Sequence, residues 1–147
     1  MKRWLTAGIV GAALAQGCAA SDPEVQIRAL LASAEAAAEA RDTGFFADAL
    51  GDSYRDASGN DRDGVLRTLR GYFIANQRVD VLSRIDEITL EGADAARAVV
   101  HAALVGQRPG GSLLSVDSDL YRFEIELVNE DGEWKIIGAK WSRALGE

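Results

Sequence analysis

The sequence predicts an α+β fold in which helices come first and a meandering antiparallel sheet follows. Apolar residues recur at helical spacing from Ile27 to Ala38, and the period changes to that of strands after Asn76. Apolar and charged residues then alternate through Tyr121–Leu127. With 147 residues, 48% of them hydrophobic, the chain is long enough for one domain with a buried core and a short appendage.

Each predicted element has its own signal. A Ser or Asp followed by Pro and Glu is typical of a helix start, and Gly-containing acidic turns at Glu91–Asp94 and Asn129–Gly132 separate strands. Ala98–Val105 is apolar on both faces of the predicted strand, interrupted only by His101, which predicts a strand buried on both sides. The predicted elements, in chain order, are a helix that starts at Ser21–Glu24 and runs to about Arg41, a short helix at Phe45–Leu50, a short strand at Ser53–Asp56, a third helix capped by Asn60 or Asp61, and strands at Val79–Leu90, Ala95–Gln107, around Tyr121–Leu127 and at Glu133–Ser142.

Residues 1–17 are predicted to be a signal peptide, because a basic start precedes an uncharged, mostly apolar stretch too short to span a bilayer. Leu14–Cys18 resembles the lipobox of bacterial lipoproteins, although Ala15 stands where that family prefers Leu. The resemblance implies that the chain's only cysteine, Cys18, carries acyl chains such as palmitate and that residues 18–21 form a short tether. Ala19, in place of an Asp, implies the periplasmic side of the outer membrane of a Gram-negative bacterium. The alternative is a plain signal peptide in which Cys18 is incidental.

Composition argues against several classes of function. The chain has 16 Lys and Arg against 23 Asp and Glu, a net charge of -7, which disfavours nucleic-acid binding. A single Cys excludes an internal disulfide and a Cys-based zinc site, and a single His excludes a multi-histidine metal site. We therefore predict no metal and no cofactor.

The order of elements and several short motifs carry a resemblance. The closing stretch Leu120–Trp141, with its acidic turn Glu130–Gly132 and its returning strand Trp134–Ile137, resembles the last hairpin of the nuclear transport factor 2-like (ketosteroid isomerase-like) superfamily. The segment Phe46–Gly59 is similar to that superfamily as well. The resemblance implies that residues 22–147 form a cone, in which N-terminal helices pack on a strongly curved antiparallel sheet around a pocket that opens to one side.

The same resemblance implies one catalytic candidate, Asp56, near the position of the base in isomerase-like members. Such a base needs an oxyanion site, yet the stretch around Ser33–Ala34 lacks the tyrosine expected there. Glu124 falls near the expected acid, but the alternation of its strand turns it towards water. The alternative is that Asp56 makes a turn or pairs with Arg55 or Arg62.

His101 is the second candidate, because an imidazole in the middle of an apolar strand is either a proton shuttle that faces the cone or a neutral core histidine. Tyr54, Tyr72 and Trp141 are candidate ligand-binding residues together with His101, and the alternative for these aromatic side chains is plain core packing.

Three functions follow from these observations. The first is a lipid-anchored, non-catalytic module that binds a hydrophobic small molecule or an envelope protein. The second is a proton-transfer isomerase or dehydratase that uses Asp56, with or without His101. The third is a dimeric structural component that pairs through a sheet face carrying Arg122, Glu124 and Glu126. Of these, the sequence favours the first, because the expected tyrosine is missing.

Overall fold

The computed structural model describes residues 21–107, 109 and 117–144. The predicted signal peptide and the predicted lipidation site Cys18 lie outside the described residues. No helix in the part of the chain that is described is long and apolar enough to cross a membrane. The elements are α1 (Pro23–Ala40), α2 (Thr43–Ala49), β1 (Leu50–Asp56), α3 (Arg62–Ala75), β2 (Arg78–Leu90), β3 (Ala95–Gln107), β4 (Asp117–Glu130) and β5 (Glu133–Arg143).

α1 and α3 begin where the capping residues predict, whereas α2 begins at Thr43, two residues before the predicted Phe45, because Asp42 caps it. The Asp22 side chain accepts a hydrogen bond of 2.8 Å from the Glu24 N–H at the start of α1, and Arg41 ends that helix in a left-handed conformation. The sequence predicts Asn60 or Asp61 as the cap of α3. The cap is Asp61, because its Oδ1 accepts a hydrogen bond of 2.8 Å from the Gly64 N–H. These caps fix the start of the helices that cover the sheet.

The sheet has five strands in the order β1-β5-β4-β3-β2. The four long strands form the predicted antiparallel meander, whereas β1 pairs with β5 in parallel. This mixed edge arises because the chain leaves β1, passes through α3 and three long strands, and returns beside β1. Bulges between Ile85 and Glu87 and between Glu126 and Leu127 interrupt the ladders, and such bulges bend the strands of a curved sheet.

The two faces of the sheet differ in burial. The helix-facing side of β3 carries Ala96, Ala98, Val100 and Ala102, which are buried. The outer side of the same strand, from Val99 to Val105, is only half-buried, because helices cover one side of the sheet alone. The prediction that β3 is buried on both sides is therefore wrong for the described residues.

The core lies between the helices and the helix-facing side of the sheet. Tyr121, Phe123, Ile125 and Leu127 of β4 stand opposite the buried residues of β3, as their alternation predicts. Burying a large apolar side chain contributes about 1.5–3 kcal/mol, so the side chains of this layer stabilise the packing of the helices on the sheet. The buried core cluster comprises Ile27, Leu31, Leu50, Tyr54, Leu66, Ala96, Ala98, Val100, Leu127, Trp134 and Ile136.

Candidate functional site

Asp56 is buried at the end of β1, with 8% of its surface exposed. Its Oδ1 accepts hydrogen bonds of 2.9 Å from the backbone N–H groups of Ser58 and Asn60. Its Oδ2 accepts one of 3.0 Å from the Asn60 side chain. Arg55 and Arg62 donate instead to backbone carbonyl oxygens. Asp56 therefore stabilises the turn that connects β1 to α3, as short acidic side chains commonly do.

Tyr54 lies beside this carboxylate, and only 2% of its surface is exposed. Burial raises the pKa of the Tyr54 phenol, and the charge of Asp56 and the hydrogen bond that Asp56 accepts raise it further. The phenol thus stays protonated and adds a fourth donor to the carboxylate. Tyr54 belongs to the core cluster and is not among the residues found to line a cavity.

His101 lies on the outer side of the sheet, between Arg84 of β2 and Arg122 of β4. Its Nδ1 is 2.7 Å from Oδ2 of Asp86, which stands at the bulge of β2. The two groups are close enough for an ion pair, but Nδ1 has no aligned hydrogen-bond partner among the described residues. The candidate role of His101 as a shuttle facing the cone is corrected here, because the pleat of β3 turns it away from the helices.

Glu124 also lies on the outer side, where its carboxylate pairs with the Arg122 guanidinium. The hydrogen bond from Arg122, and then its positive charge, lower the pKa of Glu124. Glu124 is therefore an ionised surface group and not a protonated acid aimed at the helices.

One opening lies between the last turn of α3 and the helix-facing side of β3, β4 and β5. We call it the α3 cavity; its volume is about 500 Å³. This volume is within the range of small-molecule sites. The described residues that line it are Tyr72, Ala75, Asn76, Leu104, Gly106, Asp119, Tyr121 and Arg143.

Three polar side chains form one wall of the α3 cavity. The Tyr121 hydroxyl donates a hydrogen bond of 3.1 Å to Oδ2 of Asp119, and the Arg143 guanidinium lies 3.5 Å from the same oxygen. The strand registers explain the cluster, because Tyr121 pairs with Arg143 across β4 and β5. This wall offers a carboxylate, a phenol and a guanidinium to a polar group of a ligand.

The opposite wall depends on Gly106. A Cβ at this position would stand 2.6 Å from Oδ1 of Asn76 and 2.8 Å from the Tyr72 hydroxyl oxygen. Asn76 is 5% exposed, and its Nδ2 donates to the Tyr72 carbonyl oxygen at 2.8 Å. Only glycine leaves room for these two side chains.

The structure therefore separates the four ligand-binding candidates. Tyr72 lines the α3 cavity, whereas Tyr54 is in the core and His101 is on the outer side of the sheet. Trp141 is 38% exposed and packs its ring on Phe123, with ring centroids 6.3 Å apart. None of the described residues forms a group of three or more potential metal ligands.

Of the residues that line the α3 cavity, sequence reasoning proposed only Tyr72 as a ligand-binding residue, and the polar wall and Gly106 were missed. Asp119 lies just before Tyr121, the first residue of the alternating stretch of β4, and on the same side of the strand. Extending the alternation back to Asp119 would have placed it on the helix-facing side. Arg143 would have followed in the same way from β5. Asn76 and Gly106 carry no sequence signal, because their contact joins residues far apart in the chain.

The chain belongs to the family of the SnoaL-like domain, whose model matches residues 20–140. Its nuclear transport factor 2-like fold, expected from the motifs above, is confirmed by solved structures. Among curated proteins, none matches the chain.

Three solved structures illustrate the similarity. A putative scytalone dehydratase from Novosphingobium aromaticivorans matches with a TM-score of 0.75 at 12% identity, covering 83% of this chain and 84% of that one. A ketosteroid isomerase-like protein from Erwinia carotovora atroseptica matches with a TM-score of 0.68 at 15% identity, covering 83% and 96%. A nuclear transport factor 2-like protein of unknown function in nutrient uptake from Rhodospirillum rubrum matches with a TM-score of 0.64 at 21% identity, covering 81% and 98%. At these identities the similarity shows the fold alone, and fold does not specify chemistry.

Proposed function

We propose that this chain is a lipid-anchored envelope protein whose SnoaL-like domain binds a small molecule in the α3 cavity without transforming it. The observation that carries the proposal is the cavity of about 500 Å³ with a polar wall around Asp119. The ligand that fits has an apolar body, which Leu104 and Ala75 would contact, and a polar end for Asp119 and Tyr121.

The state of Asp56 supports a non-catalytic role. A carboxylate that abstracts a proton needs a free oxygen directed at the substrate. Both oxygens of Asp56 already accept hydrogen bonds from the turn, and Tyr54 donates to the same group. The lipid anchor is supported by the lipobox-like Leu14–Cys18, and Ala19 supports placement on the periplasmic side of the outer membrane.

The test is native mass spectrometry on protein extracted gently from the bacterial envelope. We expect loss of residues 1–17, an added lipid mass on Cys18 and a second, dissociable mass from the α3 cavity. Leu104→Trp fills the cavity and should abolish that second mass. Leu82→Trp is the matched control, because Leu82 is 76% exposed on the outer side of the sheet. A bare protein mass, or equal retention of the ligand in Leu104→Trp, contradicts the proposal. An unlipidated Cys18 contradicts the anchor alone.

One observation favours a proton-transfer enzyme as the second candidate. Asp119 lies in the α3 cavity beside a phenol and a guanidinium, so a catalytic base of this domain would be Asp119 and not Asp56. Once the bound molecule is identified, its chemical conversion by the parent and not by Asp119→Asn would establish this function. Unchanged ligand after long incubation with the parent would exclude it.

The outer side of the sheet favours a dimer as the third candidate. Leu82 is exposed there opposite Ala103, and β4, two strands away, carries Arg122 and Glu124 on the same side, so this face offers an apolar side chain and charges of both signs to a second copy of itself. Sedimentation of the parent against Leu82→Lys tests it: a dimer that Leu82→Lys dissociates supports the interface, and a monomeric parent excludes it.

A further inference from the structure

The hydrogen bond in the polar wall of the α3 cavity has a fixed direction. The Tyr121 hydroxyl donates to Oδ2 of Asp119 at 3.1 Å. A phenol has a single O–H, so Tyr121 has only lone pairs left for a ligand while it donates to Asp119. A ligand carbonyl would have to draw that O–H away from a carboxylate, and hydrogen bonds to charged acceptors are about twice as strong as neutral ones. Tyr121 is therefore an acceptor towards a ligand.

The Asp119 carboxylate can accept further hydrogen bonds. A carboxylate has about four lone-pair sites on its two oxygens. Tyr121 and Arg143 both approach Oδ2, and Oδ1 has no hydrogen-bond donor among the described residues. The Asp119 side chain is 39% exposed and lines the cavity, so a ligand can reach it. Asp119 and Tyr121 thus both present acceptors, which favours a ligand with a hydrogen-bond donor.

Arg143 is the donor of this wall, because a guanidinium has N–H groups and no acceptor. Its side chain is 67% exposed, so its remaining N–H groups are hydrated. A ligand oxygen that accepts from Arg143 replaces water there and gains little. On the opposite wall Asn76 is buried, and its Nδ2 donates to the Tyr72 carbonyl oxygen. A ligand whose polar group is only an acceptor therefore gains less from this cavity than one with an O–H.

Charge narrows the class of donor. Asp119 and Arg143 are the charged residues among the described lining, one of each sign, and they lie 3.5 Å apart. A ligand ammonium would be attracted by Asp119 but repelled by Arg143, and it would lose hydration on entering a partly apolar cavity. A ligand anion meets the same balance with the signs reversed. A neutral hydroxyl avoids both costs and still donates to Asp119.

We propose that the α3 cavity selects neutral molecules that carry a hydroxyl group on an apolar body, and that Asp119 sets this preference. The ligand hydroxyl donates to the Asp119 carboxylate, and the apolar body packs on Leu104 and Ala75. This preference rests on the proposed function, in which the α3 cavity is the binding site, and adds the chemical class of the ligand.

The test compares molecules that share one ring and differ in the polar group. Cyclooctanol carries a hydroxyl, cyclooctanone a carbonyl, cyclooctylamine an ammonium at neutral pH, and cyclooctane no polar group. The backbone amide signals of Leu104 and Gly106, which line the cavity, report binding to the ¹⁵N-labelled full chain. We expect cyclooctanol to bind about three- to tenfold more tightly than each of the others, which is the range of one hydrogen bond.

Asp119→Asn removes the charge and keeps the size of the side chain. Tyr121 and Arg143 both approach Oδ2, so the amide carbonyl oxygen should take that place and the NH₂ group should face the ligand. The preference for cyclooctanol over cyclooctanone should then disappear or reverse. Glu126→Gln is the matched control, because Glu126 is exposed on the outer side of the same strand, and it should keep the preference of the parent.

Equal affinity of the parent for cyclooctanol and cyclooctanone overturns the proposal, as does a preference that Asp119→Asn retains. Tighter binding of cyclooctylamine than of cyclooctanol overturns the neutral class of ligand. If no probe moves the Leu104 and Gly106 signals, cyclooctane included, the α3 cavity is not a binding site and the proposed function fails as well. The preference of the parent decides the matter even where Asp119→Asn does not fold.

Discussion

Asp56→Asn separates a structural role of this carboxylate from a catalytic one. The substitution keeps the size of the side chain and replaces one acceptor oxygen with an NH₂ group. The remaining carbonyl oxygen can still accept from the Ser58 and Asn60 backbone N–H groups, which Oδ1 serves at 2.9 Å. The NH₂ group then faces the Asn60 Nδ2 and the Tyr54 hydroxyl, which both donate to Asp56 in the parent.

The magnitude follows from these partners. The buried Tyr54 hydroxyl and the half-buried Asn60 amide lose their acceptor, and such a loss costs about 1–3 kcal/mol for a fully buried donor. The hydrogen bonds that remain also lose the strengthening that a charged acceptor provides. Rotation of Tyr54 or of the Asn60 amide recovers part of the loss, so we expect the free energy of unfolding to fall by about 2–4 kcal/mol.

Urea unfolding followed by tryptophan fluorescence measures this change as a lower midpoint at an unchanged slope. Asp52→Asn is the matched control, because Asp52 is exposed on the same strand. It should change the free energy of unfolding by less than about 0.5 kcal/mol. An Asp56→Asn variant as stable as Asp52→Asn would refute the structural role of Asp56 in the turn. Asp56 would then again be a candidate for the catalytic base.

Two further predictions concern neighbouring parts of the fold. The pKa of the Tyr54 phenol is raised above its ordinary value of 10.0, so the unfolded chain loses this proton first as the pH rises. The contribution of the Tyr54 phenol to the free energy of unfolding is therefore present below about pH 10 and is lost above it, at up to about 1.4 kcal/mol per pH unit. Between about pH 9 and about pH 11, the urea midpoint of Tyr54→Phe should decline less than that of the parent. An equal decline in the two proteins would contradict this. Gly106→Ala places a Cβ 2.6 Å from the Asn76 Oδ1 and 2.8 Å from the Tyr72 hydroxyl oxygen, and should destabilise the fold by about 1–3 kcal/mol. Gly71→Ala, whose Cβ meets nothing within 4 Å, is the control and should be neutral or stabilising; equal thermal midpoints for the two variants would refute the packing argument.

The sequence was sufficient for the fold because its signals are local. Helix caps such as Asp22 and Asp61 act on the next turn of the chain, and the period-two alternation of Tyr121–Leu127 needs only neighbouring residues. The parallel pairing of β1 with β5 has no local signal, since it joins two segments that are far apart in the chain. The prediction of an antiparallel meander therefore held for the four long strands and not for the edge.

The site could be predicted less well, for a physical reason. His101 lies in an apolar run, and such a run specifies a strand without specifying which side of it the helices cover. Asp56 could be located at the end of a strand, but its partners Ser58 and Asn60 become partners only when the turn closes. Aromatic side chains such as Trp141 and Tyr54 look alike in sequence, yet one is partly exposed and the other is buried.

The use of Asp56 as a turn residue has a consequence for the whole domain. In a cone of this kind, a base at the end of β1 requires a carboxylate whose oxygens are free, whereas here the same carboxylate holds the connection between β1 and α3. Catalysis through Asp56 would have to break the hydrogen bonds of the turn that leads into α3, the helix that supplies Tyr72 and, at its C-cap, Asn76 to the α3 cavity. Because Asp56 is committed to this turn, we propose a binding role for the domain, with Asp119 as the polar group that would contact the ligand.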